Sequence, residues 1–564
     1  MLFQQTAGSA PTPHAPAAKA VWRAFAAACT LAVLTGCASL PAPVPRAPST
    51  AIPASTQTEL GALALQIAAQ AHVPATAGPA VAQAAVPAPA APAAPAPRSG
   101  LKPMPEANVA LDARLTLIRK AQSSLDLQYY LVGNDEIGHL LLRALRDAAA
   151  RGVRVRLLID DFYTAGMDHL LLGLAAHPNV EVRLFNPFAA GRDTFAARML
   201  QMAFDFKRLN HRMHNKLFLA DGAMAIAGGR NMADGYFLRG PDNFIDFDAL
   251  ALGPVVPQLQ AIFDRYWNSP HVYAIAAVAP VSESPESLRA HFEHTTTAPN
   301  PEPVVTVAKD AFGAPLLSVD LPASLQHLIW GETMAFADNP DKVLRGTTPA
   351  DLSGTALYHS LAAFREARSE LMLFSPYFVP GTVGMEGLKT ARDHGVPVRI
   401  ITNSMATTDE PLASLAYERY RVPMLKLGIE LYELRPLQGS PDAPNGLGAS
   451  RSRWHAKMAF INRQTTVLGS MNLDQRSATT NTEVVLLIQS PEFAARALQF
   501  FSATRAEDVN HVHQVKLKAD GKALQWVALK GAGRAEELDA EPDMDYWLRF
   551  RLWLLSPFVS EDLL

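Results

Sequence analysis

The stretch "HNKLFLAD" at residues 214–221 returns 241 residues later as "HAKMAFIN" at residues 455–462. Each copy is followed by a shorter motif, "GGRN" at residues 228–231 and "GSMN" at residues 469–472. Other segments recur in the same order at similar offsets, as "RGVRVRLLID" and "HGVPVRIITN" do. Ordered matches at a nearly constant offset indicate two copies of one domain, because a solenoid would repeat roughly every 20–50 residues.

Each copy alternates helical and strand patterns. The leucines of "IGHLLLRALRDAAARG" at residues 137–152 have helical spacing, and a strand rich in β-branched residues follows. Helices that alternate with apolar strands predict an α/β fold. We therefore expect two tandem domains, at residues 101–300 and 351–564, with a connector rich in Pro, Gly and Asp at residues 301–350.

The amino-terminal residues predict an export signal. Lys19 and Arg23 precede an apolar run over residues 24–34, which is too short to span a bilayer but suits a signal peptide. The run ends in "LTGC", which resembles the bacterial lipobox. We therefore expect residues 1–36 to be a lipoprotein signal peptide and Cys37 to carry the lipid anchor. An ordinary secretory signal or a short membrane anchor is the alternative.

The next segment, residues 37–100, predicts a tether. Residues 41–100 contain 12 Pro and 21 Ala, a composition that builds no core, although "TELGALALQIAAQA" at residues 58–71 has the pattern of a short helix. Residue 38 is Ala rather than the Asp associated with inner-membrane retention. The expected location is therefore the periplasm-facing side of a Gram-negative envelope, on the outer rather than the inner membrane.

The composition argues against some functions. The formal net charge is −3 over 564 residues, so the chain has no overall basic field of the kind that nucleic-acid-binding proteins carry. The two cysteines, Cys29 and Cys37, both lie within the first 40 residues. The body of the protein therefore has no thiol for a disulfide or for a thiolate metal site.

The repeated motifs predict an anion pocket. In a strand, side chains two residues apart share a face, so His214 and Lys216 point the same way, and so do His455 and Lys457. Small residues at the ends of the returning strands let a ligand approach the backbone. The polar residues beside them are Asn231, Ser470 and Asn472. No metal is expected, because a lysine beside each histidine repels a cation. A surface strand without a role is the alternative, which the second copy argues against.

The last motif residue differs between the copies, Asp221 in the first and Asn462 in the second. Both have the wrong parity to share the face of the histidine and the lysine. Each lies where the chain turns back, and both Asp and Asn suit turns. We therefore expect Asn462 to keep a structural role and to lose only the negative charge.

These residues resemble the phospholipase D superfamily, whose signature is H-x-K-x(4)-D followed by G-[GS]-x-N. The resemblance covers about residues 110–560. The chain is most similar to bacterial type C cardiolipin synthases in the stretches "GSMNLDQRS", "NTE", "LQYYLV", "GGRNMADGYF" and "SPYFVPG". Asn462 departs from the signature. The resemblance implies two α/β/α domains related by a pseudo-two-fold axis around one shared active site.

The resemblance also implies roles for the motif residues. His214 is the nucleophile that forms a phosphohistidine, and His455 is the general acid and base. Lys216 and Lys457 hold the phosphoryl oxygens, and Asp221 counts among the catalytic residues as the acid of the motif.

A carboxylate roughly 30 residues after each histidine is implied to fix its tautomer. The matches are Asp246 after His214 and Glu483 after His455. Asp248 is a rival for Asp246, and an exposed strand carboxylate is the alternative for Glu483.

The implied function is that of a membrane-associated phosphatidyltransferase that makes cardiolipin. Its lipids would be phosphatidylglycerol and phosphatidylethanolamine, and it would need no cofactor. The alternative is a hydrolytic phospholipase D, phosphodiesterase or nuclease of the same fold, although export argues against nucleic acid. An inactive lipid-binding lipoprotein is a third possibility, which the intact histidines and lysines argue against. The segment "DYWLRFRLWLLSPF" at residues 545–558 predicts an amphipathic helix at the membrane interface or a helix packed on the domain.

Overall fold

The computed structural model describes residues 39–42, 46–71, 98–240, 242–297, 307–345, 354–435, 451–506, 512–529, 535–544 and 546–555. The predicted signal peptide, Cys37 and residues 72–97 of the predicted tether lie outside this part of the chain.

The first half runs from the amino-terminal residues to the end of a helix at Thr296. Its helices are α1 (Glu59–Gln70), α2 (Ala107–Lys120), α3 (Glu136–Ala150), α4 (Asp168–Ala175), α5 (Phe195–Phe204), α6 (Phe206–Leu209), α7 (Val255–Trp267), α8 (Ile275–Val278) and α9 (Pro285–Thr296). Its strands are β1 (Arg98–Met104), β2 (Ser124–Tyr129), β3 (Arg154–Asp160), β4 (Val180–Phe185), β5 (Leu217–Ala220), β6 (Met224–Gly228), β7 (Asp242–Ile245), β8 (Asp248–Leu252) and β9 (Val272–Ala274). The helix predicted at residues 137–152 is α3, where the Asp135 side chain accepts a hydrogen bond from the Gly138 N–H and so caps the first turn.

The second half repeats this plan. Its helices are α10 (Leu321–Leu325), α11 (Lys342–Arg345), α12 (Ala356–Arg365), α13 (Gly381–Asp393), α14 (Pro411–Lys426), α15 (Gln475–Thr479), α16 (Pro491–Ala506) and α17 (Tyr546–Leu555). Its strands are β10 (Ile329–Ala337), β11 (Leu371–Phe374), β12 (Val398–Asn403), β13 (Glu430–Leu434), β14 (Arg451–Trp454), β15 (Met458–Ile461), β16 (Thr465–Gly469), β17 (Val484–Gln489), β18 (Val512–Leu517), β19 (Leu524–Leu529) and β20 (Ala535–Leu538). None of the helices in the described part of the chain has the length and hydropathy of a membrane span.

Eighteen strands form one sheet. They follow one another in the order β9, β4, β3, β2, β5, β6, β8, β1, β10, β17, β16, β15, β11, β12, β13, β18, β19, β20. On each side of the antiparallel β1–β10 junction come antiparallel strands and then two parallel pairs. This arrangement confirms the predicted α/β fold of two like domains related by an approximate two-fold axis.

The core extends from one half into the other. Alternate residues of β5 face opposite sides of the sheet, as expected for a strand. Phe218 and Ala220 belong to the core that α2, α3 and α4 cover. Leu217 and Leu219 belong to a second core, which includes Phe460 of the other half. Because that core is shared, the two halves cannot part without exposing apolar surface to water.

The tether prediction is wrong for residues 46–71, which form a strap on the first half. Helix α1 buries Leu60, Ala64 and Ile67 in the first core. Before it, the Ala51 N–H donates a 2.7 Å hydrogen bond to Asp264 of α7. The short helix expected at residues 58–71 is confirmed as α1, but the Pro- and Ala-rich composition gave no indication that it packs on the core.

The connector prediction is wrong in a similar way. Strand β10 lies within residues 301–350, yet it pairs with β1 on one side and β17 on the other, at the centre of the sheet. Its sequence, "IWGETMAFA", alternates between buried and partly buried residues along most of its length. The strand therefore joins the two halves edge to edge rather than spacing them apart.

Candidate active site

Two backbone pairings bring the halves together beside the repeated motifs. Strands β7 and β14 run parallel, with Ile245 opposite Trp454. An isolated parallel bridge sets Met213 opposite Thr482, where the His214 N–H donates to the Thr482 carbonyl at 2.9 Å. In each pairing, the residue that follows the paired position is a motif histidine in one half and an acidic residue in the other half.

Each histidine consequently pairs with the carboxylate of the other half. His455 Nδ1 lies 2.6 Å from Asp246 Oδ2, and His214 Nδ1 lies 3.0 Å from Glu483 Oε2. The expectation that Asp246 serves His214 and Glu483 serves His455 is wrong, because the pairing follows the bridges between halves. Each carboxylate accepts the Nδ1–H, which leaves Nε2 of the imidazole for chemistry.

Asp248 has a different set of contacts. Its carboxylate lies 3.0 Å from the Arg114 guanidinium and 3.4 Å from that of Arg230, and all three side chains are buried. Asp248 is therefore a structural ion-pair partner, and Asp246 is the carboxylate at the histidine.

The lysines lie beside their own histidines, just before β5 and β15 begin. Lys216 Nζ donates to the His214 carbonyl at 2.7 Å, and Lys457 Nζ donates to the His455 carbonyl at 2.5 Å. Both lysines are buried. Burial lowers the pKa of Lys216 to about 7 and that of Lys457 to about 8.

The histidines are buried among these charges. Burial lowers the pKa of His214 to about 4 against the opposing charge of Glu483, and Lys216 and Lys457 add to the lowering. Burial and Lys457 also lower the pKa of His455. The charge of Lys457 thus acts on His214 of the other half, as expected where one pocket holds both motifs.

The carboxylates remain charged. Burial alone would raise the pKa of Asp246, but His455 and Lys457 outweigh it and bring this pKa to about 2. His214, Lys216 and Ser470 likewise hold the pKa of Glu483 below its ordinary value despite burial.

The three predicted phosphate ligands differ in their availability. Ser470 Oγ donates to Glu483 and accepts the Val484 N–H, so it holds the carboxylate in place. The Asn231 carboxamide accepts from Leu131 N–H and donates to the Tyr236 hydroxyl. By contrast, Oδ1 of Asn472 is buried with no hydrogen-bond partner. An amide oxygen accepts hydrogen bonds, so this atom can meet a hydroxyl group of a ligand but not a phosphate oxygen.

Asp221 and Asn462 are turn residues at the far ends of their strands. Both have left-handed backbone conformations, with φ of 50° and 56°. The Asp221 carboxylate accepts the backbone N–H groups of residues 122–124, and Asn462 Oδ1 accepts those of Arg368 and Ser369. The parity argument is confirmed, and Asp221 has the contacts of a structural residue rather than those of a catalytic one.

Comparison with known proteins supports the reading of these motifs. Residues 115–267 and 361–505 match the family model described as "Cardiolipin synthase, PLD-like domain". The chain belongs to this family. Cardiolipin synthase C of Escherichia coli (strain K12) is 35% identical over 475 residues, which make up 82% of this chain and 96% of that protein.

Other cardiolipin synthase relatives are more distant. Cardiolipin synthase 1 of Bacillus anthracis is 25% identical over 407 residues, 72% of this chain and 65% of that protein. The crystal structure of phosphatidylserine synthase from Haemophilus influenzae Rd KW20 shares the fold, with a TM-score of 0.52 and 14% identity over 81% of this chain and 92% of that one. The protein is a phospholipase D-type phosphatidyltransferase, similar to the cardiolipin synthases.

The structure adds three residues to the site that the motifs alone did not indicate. The Tyr130 ring lies edge-on to the imidazole of His214, with centroids 4.9 Å apart, and the Tyr236 ring lies 5.0 Å from that of His455. Ser477 Oγ donates to the Glu483 carboxylate at 2.9 Å. All three occur in stretches that carried the family resemblance, "LQYYLV", "GGRNMADGYF" and "GSMNLDQRS", which was the available signal.

The tryptophans divide between core and surface. Trp454, which precedes His455, is buried and stacked on Phe374, and it donates its indole N–H to the Ala456 carbonyl. It is therefore a core residue. On α17, Trp547 and Phe550 are exposed. That helix lies within the segment predicted at residues 545–558, and it packs on the domain, since Leu552 is buried and Arg549 lies 3.6 Å from Glu418 of α14.

Proposed function

We propose that this protein is a membrane-associated phosphatidyltransferase that makes cardiolipin through a phosphohistidine on His214. The observation that carries the proposal is the pair of buried histidines, each on a carboxylate of the other half and each beside a buried lysine. Two imidazoles and two cations in one pocket suit a two-step transfer of an anionic group.

In the first step, a phospholipid donor binds with its phosphate between Lys216 and Lys457. Its negative charge raises the pKa of the lysines and of His455, so these groups hold protons when the substrate is bound. Nε2 of His214 attacks phosphorus, and the bond from phosphorus to the headgroup oxygen breaks. His455 gives its Nε2 proton to the departing alcohol.

In the second step, a phosphatidylglycerol hydroxyl replaces the departed alcohol. Nε2 of His455 takes the hydroxyl proton, the hydroxyl oxygen attacks phosphorus, and the phosphorus–nitrogen bond to His214 breaks. The product is cardiolipin, and both histidines return to their starting states. The donor is a second phosphatidylglycerol or phosphatidylethanolamine, and the similarity to type C cardiolipin synthases favours phosphatidylethanolamine.

Expression in a cardiolipin-deficient bacterium tests this reaction. Cardiolipin is expected with the parent protein and absent with His214→Ala, as read by mass spectrometry of the lipids. Accumulation of phosphatidic acid without cardiolipin would mean that water takes the phosphatidyl group, and the protein would then be a hydrolase.

The proposed location is the periplasm-facing surface of the outer membrane, with the lipid anchor on Cys37. The strap begins at Arg46, which donates a 2.7 Å hydrogen bond to the Val272 carbonyl. Eight residues lie between it and Cys37, which gives a reach of at most about 30 Å. Labelled palmitate should enter the parent protein and not Cys37→Ser, and equal labelling of the two would refute the assignment.

A further inference from the structure

Helix α5 buries its charged side chain and exposes its large apolar side chains, the reverse of what is expected for a helix on a water-facing surface. It contains one charged residue, Arg198, and this side chain is fully buried. Its large exposed side chains are Phe195, Leu200 and Phe204, which are 47%, 46% and 60% exposed. A helix packed on a globular domain normally presents the opposite arrangement, with its apolar face inward and its charges in water.

Specific contacts hold the polar face inward. The Arg198 guanidinium donates to Thr164 Oγ1 at 3.0 Å and lies 3.4 Å from the buried Asp161 carboxylate. Gln201 Oε1 accepts the Ala190 N–H at 3.0 Å. Rolling the helix to hide its apolar side chains would break these bonds and leave a buried carboxylate with fewer partners, so the orientation is fixed.

The exposed face is continuous with the active site. The Phe195 ring stacks on Tyr163, with centroids 6.3 Å apart. Tyr163 meets Tyr130 edge-on at 5.4 Å, and Tyr130 meets His214 at 4.9 Å. An aromatic path therefore leads from the apolar helix face to the imidazole.

The strap reaches the same region of the fold. Arg46 is bonded to the Val272 carbonyl of β9. The neighbouring His271 carbonyl accepts the Asn186 N–H, and the Asn186 carboxamide donates to the Arg208 carbonyl of α6 at 2.9 Å. The chain therefore enters the domain beside the short helix that follows α5.

We propose that the apolar face of α5 docks in the phospholipid bilayer and seats the pocket against it. The inference rests on the proposed function, because a pocket for phospholipids must receive them from a bilayer. A helix with aromatic and aliphatic side chains on one face lies in the interface with that face among the acyl chains. Lys207 lies just after the helix, and because its side chain is exposed it can contact anionic lipid headgroups.

A dye attached at this face reports docking directly. In the full chain with Cys29 and Cys37 replaced by Ser, a polarity-sensitive fluorophore is placed at Leu200→Cys, or at the more exposed Val319→Cys as a control. With vesicles of phosphatidylethanolamine and phosphatidylglycerol, the emission at position 200 should shift to the blue and be quenched by brominated acyl chains. Position 319 should show neither effect.

Turnover supplies the second measurement. Leu200→Gln with Phe204→Gln should reduce turnover of vesicle lipids at least about tenfold more than turnover of short-chain monomeric phospholipids, since vesicle turnover requires docking. Val319→Ser should change neither. A dye at position 200 that stays in water with vesicles would overturn the proposal, and loss of activity in cells would then point to a protein on this face. The dye reading does not depend on turnover, so it decides this proposal even if the proposed reaction is wrong.

Discussion

At the residue scale, the two motif lysines oppose folding while they serve the reaction. Lys216 is buried, and burial lowers its pKa from 10.5 to about 7. A group with such a lowered pKa binds fewer protons in the folded state than in the unfolded state between these values. Folding stability from Lys216 therefore rises with pH between about 7 and 10.5 and is lowest below pH 7.

Replacing this lysine should separate stability from activity. Lys216→Met should raise the melting temperature at neutral pH, because the lowered pKa means that burial of this charge costs more than its partners return, and it should abolish turnover. Lys389→Met, at an exposed lysine paired with Asp393, should change neither. A lower melting temperature for Lys216→Met would contradict this account of the pocket.

The same pKa values predict the pH dependence of kcat/KM, which reports the free enzyme. Activity should fall as pH rises, first below pH 6.5, because His455 loses the proton that it gives to the departing alcohol, and again through about 7 to 8, because Lys216 and Lys457 lose the charge that attracts the phosphate. A pH profile with short-chain substrate measures this directly. A level profile up to the ordinary lysine pKa of 10.5 would mean that the lysines keep their protons.

At the element scale, the hairpins of the two halves use different residues for one structural task. Asn462 Oδ1 accepts the N–H groups of Arg368 and Ser369 at 2.7 and 2.9 Å, as Asp221 does for residues 122–124. An amide oxygen accepts these bonds without a negative charge. The departure from the family signature is therefore compatible with an intact hairpin.

Substitutions at the two turns should change stability more than chemistry. Asn462→Asp should alter activity less than tenfold, or about 1.4 kcal/mol of barrier. Asp221→Ala should lower stability by about 1–3 kcal/mol, because buried backbone N–H groups lose their acceptor. Steady-state kinetics and thermal unfolding measure both effects. If Asn462→Ala were as inactive as His455→Ala, the turn assignment would fail.

At the scale of the whole molecule, the amino-terminal strap belongs to the folded core. Leu60 on α1 is fully buried, whereas Leu65 on the same helix is exposed. Leu60→Ala should lower stability by about 2–5 kcal/mol. Leu65→Ala should stay within about 0.5 kcal/mol of the parent. Thermal unfolding of the full chain distinguishes the two variants. Equal melting temperatures would mean that α1 does not stabilise the core, as the tether prediction held.

Local pattern was enough to predict the repeat, the hairpins and α3, although each strand begins just after the histidine and lysine rather than at the histidine. It failed where contacts between distant segments decide the outcome. The spacing of Asp246 from His214 carries no information about the bridge that gives this carboxylate to His455. Composition likewise averaged over β10, whose place in the sheet depends on the distant strands β1 and β17. The pattern of α1 predicted a helix but carried no information about the core on which it packs.

The assembly of one site from two halves assigns each carboxylate to one chemical step. In the proposed reaction, Glu483 orients the nucleophile His214, and Asp246 orients the acid His455. A donor whose leaving group needs no proton, such as a 4-nitrophenyl ester of phosphatidic acid, isolates the first of these roles. With it, phosphoenzyme formation depends on His214 and its carboxylate alone.

The most direct test is therefore the burst of nitrophenolate in Glu483→Gln and Asp246→Asn, with acid-labile phosphate mapped to the peptide that carries it. We predict that Glu483→Gln slows the burst by about 10²–10⁴, that Asp246→Asn leaves it near the parental rate, and that the label lies on His214. A burst slowed by Asp246→Asn and spared by Glu483→Gln, or a label on His455, would contradict the account.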